Sequence, residues 1–341
     1  SLQAANKLEE IKLMGIQNEM VTKAFKDSMN LAMTHQQESA EIEAKVQEQK
    51  VWTYALLIGL AGLLVVSFLL FRGSEQRKKS ANVIAETNLL LKTKNQEIID
   101  SITYAKRIQE AILPSSDRIS KLLNDSFIFY LPKDIVAGDF YWLEHRDGKI
   151  LFAAADCTGH GVPGAMVSVI CNNGLNRAVR EHGITKPSEI LNKAREIVID
   201  EFAKSDENVR DGMDIALCSL KGNIVEYAGA NNPLWLIRNG EIIELKGDKQ
   251  PIGNYEIQEP FNNYEMELET GDTLYIFSDG YADQFGGDKG KKLNAVNFKR
   301  LLISIQAKSM AEQRTILDES FEEWRGDLEQ IDDVCVIGVR I

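Results

Sequence analysis

Cysteine is scarce in this chain and nowhere paired: Cys157, Cys171, Cys218 and Cys335 are the only four, they show no CxxC spacing, and all lie in the second half. That argues against a disulfide framework and for reduced thiols in a cytosolic domain. Positive charge is also in deficit. The net charge of −12 over 341 residues argues against general nucleic-acid binding. With 44% hydrophobic residues the chain can still bury a sizeable core, so it is not a disordered polymer. Residues 1 to 50 have no proline and only one glycine, Gly15, while small or apolar residues recur at Ile11, Met14, Val21, Phe25, Ala32, Ile42 and Val46. This spacing predicts a helix, read either as a weak coiled-coil seam or as one helix of an extracytoplasmic bundle. There is no visible signal peptide and the chain begins at Ser1, which predicts the end of a longer protein whose upstream sensor is missing.

Charge is absent altogether from residues 51 to 71, an apolar stretch of 21 residues that is long enough for one membrane-spanning helix. Trp52 and Tyr54 suit a headgroup belt at one end. Arg72, Arg77, Lys78 and Lys79 follow directly, so positive-inside asymmetry places the C-terminal part in the cytoplasm. Residues 72 to 113 read as a coiled-coil linker. Ile84, Leu91, Ile98, Ala105 and Ile112 recur every seven residues, with Asn88, Asn95, Ile102 and Gln109 at the companion seam positions. Buried asparagines in such a seam favour a registered parallel homodimer at a cost in stability. In the last two turns Ile108, Ile112 and Leu113 are an alternative face for packing on the following domain.

Pro114 ends the helix and opens a domain over residues 114 to 341. Its pattern predicts helices at 164–181 and 188–203, strands near 213–220, 224–228, 234–237, 241–245 and 272–278, helices at 296–305 and 310–324, and a last strand at 333–340. Strands and helices in that order do not suit a doubly wound parallel sheet. The expectation is an α+β fold of antiparallel sheets with helices outside.

The Asp147-Gly148 pair is a strong hairpin signal, and its flanks, Asp139 to His145 and Lys149 to Ala155, read as strands. Folding there pairs 145 with 150 and, further out, Asp139 with Asp156. Asp279 ends the apolar run Thr273 to Ser278, and Asp332 precedes Val334 to Val339. Four aspartates gathered at strand ends repel one another unless cations neutralise them, which predicts a divalent-metal site.

Four motifs then line up: Ala137-Gly-Asp-Phe-Tyr-Trp142, Ala155-Asp-Cys-Thr-Gly-His-Gly-Val-Pro-Gly164, Phe277-Ser-Asp-Gly-Tyr-Ala-Asp283 and Asp332-Asp-Val-Cys-Val-Ile337. As an ordered set they resemble the SpoIIE/RsbU-like branch of the metal-dependent PPM protein phosphatases, bacterial serine/threonine phosphatases. The resemblance extends through Asp211 to Ala216, Tyr227 to Leu234, Lys249 to Gly253 and the helix Ser101 to Pro114. It implies an αββα sandwich and two Mn²⁺ or Mg²⁺ ions. Asp156 would bridge the ions with the backbone carbonyl of Cys157 as a further ligand, Asp139 and Asp332 would hold one ion, and Asp279 would complete the cluster. A metal-activated water then attacks phosphorus without a protein nucleophile. The implied substrate is a phosphoserine or phosphothreonine protein, often an anti-sigma-factor antagonist domain in this branch. With the span at 51–71 and the basic cluster after it, the expected location is the bacterial inner membrane, with one span and a cytoplasmic phosphatase domain.

Other residues have two readings. His160 is either the acid for the leaving oxygen or a satisfied loop histidine. Lys133 is either a ligand for substrate phosphate or an exposed lysine. Asp211 and Asp214 either help hold a third ion or cap their strand, Asp333 reads as a hydrogen-bonding neighbour, and Asp147 as a turn former. Two rivals are a diguanylate cyclase, whose Gly-Gly-Asp-Glu-Phe turn Gly138-Asp139-Phe140 superficially resembles, and a pseudophosphatase serving as a membrane-bound scaffold. The first leaves Asp279 and Asp332 unexplained. Retention of all four aspartates disfavours the second.

Overall fold

The structure, a computed structural model, describes residues 2–204, 210–256 and 258–341. It falls into two compact units, one ending at Thr93 and one spanning Lys94–Ile341. Helix α1 (Leu2–Ile112) forms the first unit and contributes its last turns to the second. An 18-residue window of this helix has a mean hydropathy of 2.5 with no part buried, long and apolar enough to cross a membrane. The helix stops two residues before Pro114, whose ring disfavours helical geometry in the residue before it.

The second unit continues with α2 (Ser116–Leu122), β1 (Ser126–Leu131), β2 (Phe140–Arg146), β3 (Lys149–Cys157), α3 (Gly161–Arg180) and α4 (Pro187–Phe202). Next come β4 (Gly212–Lys221), β5 (Ile224–Ala230), β6 (Leu234–Arg238), β7 (Glu241–Leu245), β8 (Ile252–Gly253), β9 (Tyr264–Glu267) and β10 (Thr273–Phe277). The chain closes with α5 (Gly280–Asp283), the small hairpin β11 (Phe285–Gly286) and β12 (Lys291–Lys292), α6 (Asn294–Ile305), α7 (Met310–Arg325) and β13 (Val334–Arg340).

One sheet runs β1-β13-β10-β6-β7 and the other β2-β3-β4-β5-β9, with β8 on β4. Every pairing within the two sheets is antiparallel. Period-two alternation builds the layers. In β3, Phe152 and Ala154 join the core between the sheets, whereas Leu151, Ala153 and Ala155 face α3 and α4. In β10, Leu274 and Ile276 face inward and Tyr275 and Phe277 pack with Phe298 and Phe321 of α6 and α7. The result is the expected αββα sandwich.

The β2–β3 hairpin has the register that its turn dictates. His145 pairs with Ile150 and Phe140 with Ala155, and Asp147 and Gly148 adopt φ of 53° and 73°, the positive pair that a type I′ turn requires. One part of the seam reading is corrected. Ile102, Ala105 and Ile112 are half-buried and Gln109 is buried, so the three-four stripe at the end of α1 faces its own domain. Gln109 is drawn inward because its amide finds backbone partners there. Ile108, expected on that face, is 51% exposed, while Leu113 packs against the α3–α4 core.

Candidate functional site

Strand geometry brings the four aspartates together. Asp139 lies just before β2, Asp156 sits in β3 opposite Asp214 of β4, and Asp279 and Asp332 flank the neighbouring ends of β10 and β13. The two sheets therefore present carboxylates at one common edge. A cleft of about 320 Å³ there is lined by Asp156, Cys157, His160, Asp214, Asp279 and Asp332 among others. Asp139 is buried and is not among the lining residues, but it interacts with Asp156, which is.

Their charges act on one another. Burial, then the charge of Asp156, push the Asp139 carboxyl well above the usual range, against a hydrogen bond from Ser278. Burial followed by Asp279, Asp332 and Asp214 pushes Asp156 up to about 8. Asp279 rises to about 6, by burial and then by Asp332. Among the described residues, Oδ2 of Asp139 is buried without a hydrogen-bond partner. A buried orphan oxygen inside a set of mutually repelling carboxylates fits a cationic group, and all-oxygen donors fit a hard divalent ion. No three His, Cys, Asp or Glu side chains among the described residues form a ready-made metal cage.

The Asp139 loop is held from three directions. Asp333 takes the backbone N–H of Lys133 at 2.7 Å on Oδ1 and that of Gly138 at 2.6 Å on Oδ2. Gln109 donates from Nε2 to the Ala137 carbonyl at 2.6 Å and accepts the Ala137 N–H at 3.1 Å, while also donating to Ser168 at 3.0 Å. The Tyr130 hydroxyl donates to the Asp139 carbonyl at 3.0 Å. Gly138 is required by close approach, since a Cβ there would lie 2.3 Å from the Gly159 carbonyl oxygen and 3.2 Å from that of Cys157.

Asp333 is thus the hydrogen-bonding neighbour that its position implied. Asp214 faces the cleft and accepts from Asn231 at 2.8 Å, whereas Asp211 is not among the lining residues. The Cys157 thiol is buried next to Cys171, away from exchange chemistry. His160 lines the cleft, and Lys133 touches it through His160, 3.2 Å from Nζ to Nε2. Asp134 and Arg210 were not legible in the sequence: Asp134 bonds His160 at 2.9 Å and Arg210 lines the cleft. The one hint was that Asp134 follows the candidate Lys133 and Arg210 precedes the motif residue Asp211.

Stacked antiparallel sheets carrying a carboxylate cleft across one edge define a PP2C-type phosphatase domain, the fold of the solved relatives. The family model of Stage II sporulation protein E (SpoIIE) matches residues 146–341, and this chain belongs to that family. It is similar to the SiaA-PP2C domain of Pseudomonas aeruginosa, with 30% identity and a TM-score of 0.66 over 72% of this chain and 98% of that one. The PP2C phosphatase domain of SpoIIE from Bacillus subtilis, with a fragment of its regulatory domain, shares the fold at 20% identity and a TM-score of 0.52, over 64% of this chain and 63% of that one. Phosphoserine phosphatase RsbU of Bacillus subtilis (strain 168) is 24% identical over 195 residues, 55% of each chain. The chain therefore spans about half the length of that curated relative.

Proposed function

We propose that this chain is a metal-dependent serine/threonine protein phosphatase, anchored in a bacterial membrane and acting on a cytoplasmic phosphoprotein. The observation that carries this reading is the convergence of Asp139, Asp156, Asp279 and Asp332 on one sheet edge, with a buried Asp139 oxygen unsatisfied among the described residues. Those four carboxylates and the Cys157 carbonyl would hold Mn²⁺ or Mg²⁺. When bound, such ions lower the pKa of a coordinated water and stabilise charge developing on the phosphoryl group. The chain's own residues fix the carboxylates: Gln109, Tyr130 and Asp333 hold the Asp139 loop, and the hydrogen bond from the Ser278 N–H to the Cys335 carbonyl at 2.9 Å locks β10 to β13 beside Asp279 and Asp332. RsbU is named a phosphoserine phosphatase, which supports phosphoserine on a partner protein, such as an anti-sigma-factor antagonist domain, as the substrate class.

Membrane anchoring rests on the apolar span 51–71 and the basic cluster that follows it. Control by a parallel homodimer rests on the heptads with Asn88 and Asn95. Hydrolysis of a phosphoserine peptide by the full chain, with and without Mn²⁺, tests the activity. Release of phosphate only with the metal is the expected outcome; no release at any metal concentration from folded protein overturns the proposal.

A further inference from the structure

Beside the cleft, three side chains form a line that reaches the cleft lining at His160. The Lys133 ammonium lies 3.2 Å from Nε2 of His160, and Nδ1 of the same ring lies 2.9 Å from Oδ2 of Asp134. An ammonium can only donate, so Nε2 accepts and the ring proton sits on Nδ1, where it is donated to the carboxylate. That is the arrangement by which an outer carboxylate fixes the tautomer and orientation of a histidine.

The surrounding fold supports the line at each member. The Lys133 backbone is pinned by its N–H to Asp333, one residue from Asp332. Gly161, with φ of 64°, passes so close to Asp134 that a Cβ would lie 3.0 Å from Oδ2; a side chain there would be strained and crowd the carboxylate. His160 itself lines a cleft that also holds Asp156, Asp214, Asp279 and Asp332. A phosphate dianion entering so acidic a cleft needs positive charge fixed in advance, since charge fixed in place costs no reorganisation during reaction; the Lys133 ammonium is held beside the cleft by His160, which lines it.

We propose that Asp134 and His160 are positioning residues that hold the Lys133 ammonium as a ligand for the phosphoryl oxygens of the substrate. This rests on the phosphatase reading above. A general acid at His160 would need its outward nitrogen to carry a proton toward the leaving oxygen; here that nitrogen accepts from Lys133.

The test uses the full chain with Mn²⁺ and two substrates, p-nitrophenyl phosphate and a phosphoserine peptide, with inorganic phosphate as competitive inhibitor. Lys133→Met is expected to raise KM and the phosphate inhibition constant on the order of tenfold for both substrates, with a smaller change in kcat. Asp134→Ala and His160→Ala should each raise the same quantities by less. In the Lys133→Met background neither should add anything, since both act through that ammonium. His160→Gln, whose amide oxygen can accept from Lys133, should restore KM, which separates positioning from simple misfolding.

Unchanged phosphate inhibition in Lys133→Met overturns the proposal, as does a His160→Ala effect that adds in full to Lys133→Met. So does a His160→Ala variant that loses kcat on the peptide but not on p-nitrophenyl phosphate, whose good leaving group needs no proton; that is the signature of an acid. If the unaltered chain hydrolyses neither substrate, the phosphatase reading falls first and this assignment with it. An active chain indifferent to Lys133→Met refutes the assignment alone.

Discussion

Gln109 shows how one buried amide can fix the loop that carries Asp139 from a distance. It is 5% exposed and satisfies both backbone groups of Ala137, two residues before Asp139. Gln109→Leu keeps the volume and strands both groups, and each unpaired buried group costs about 1–3 kcal/mol. We expect a loss of stability of about 2–6 kcal/mol on urea unfolding, the sum over the two groups, together with turnover lower by about tenfold because the loosened loop misplaces Asp139. Wild-type turnover in a folded Gln109→Leu protein would show that the loop does not need this clamp. Residues of this kind are hard to read from sequence. The four aspartates were legible because each sits at the boundary of an apolar run, a local pattern. Gln109 meets partners 28 and 59 residues away and Asp134 one 26 away, so their roles appear only once the sheets bring distant segments together.

Among the elements, long periodic segments and strands bounded by clear turn signals were legible, and short segments without either were not. The strands β4, β5, β6, β7, β10 and β13 and the helices α3, α4, α6 and α7 lie within a few residues of their expected bounds. Helix α2, of 7 residues, is too short for its period to show, although Ser115 caps it by accepting from the Arg118 N–H. Strand β9 has exposed residues on both faces and lacks the alternation that marks a half-buried strand. The end of α1 gave an apolar stripe whose period is the same for a partner helix and for the helix's own domain, and only packing decides between them.

Two expected outcomes belong to α1. Position 74, but not position 39, should be shielded from an impermeant thiol reagent on intact cells when Ser39→Cys and Ser74→Cys are compared; labelling of 74 alone would reverse the proposed orientation. Fusing a constitutive dimeric coiled coil at position 80 in each heptad phase should make turnover rise and fall with phase, because Asn88 and Asn95 leave the seam marginal and its register movable by a few kcal/mol. Turnover flat across the phases at a constant dimer fraction would reduce the segment to a tether.

For the molecule as a whole, the acid cleft links stability to pH. Asp156 has an ordinary value of 3.8 and is raised to about 8, so between these values the folded protein binds more protons than the unfolded chain. Stability then falls as pH rises through that window; it is fully present below the unfolded value and lost above the folded one. Asp279, raised to about 6, contributes in the same direction at lower pH. A divalent cation relieves the same repulsion, so it should stabilise the protein more at high pH than at low, since ligands must be deprotonated to bind.

The direct measurement is Tm for the full chain and for Asp156→Asn, each with chelator and with Mn²⁺, from about pH 5 to about pH 8. With chelator, the Tm of the unaltered chain should fall as pH rises, and the gain on adding Mn²⁺ should grow over the same range. In Asp156→Asn, the fall should be smaller, with the part due to Asp139 and Asp279 remaining, and the Mn²⁺ gain should largely disappear together with Mn²⁺-dependent phosphatase turnover, while far-UV circular dichroism stays unchanged. A Mn²⁺ gain that ignores pH and survives in Asp156→Asn, or a folded Asp156→Asn protein with near-normal turnover, would contradict the assignment of this cleft as the metal centre.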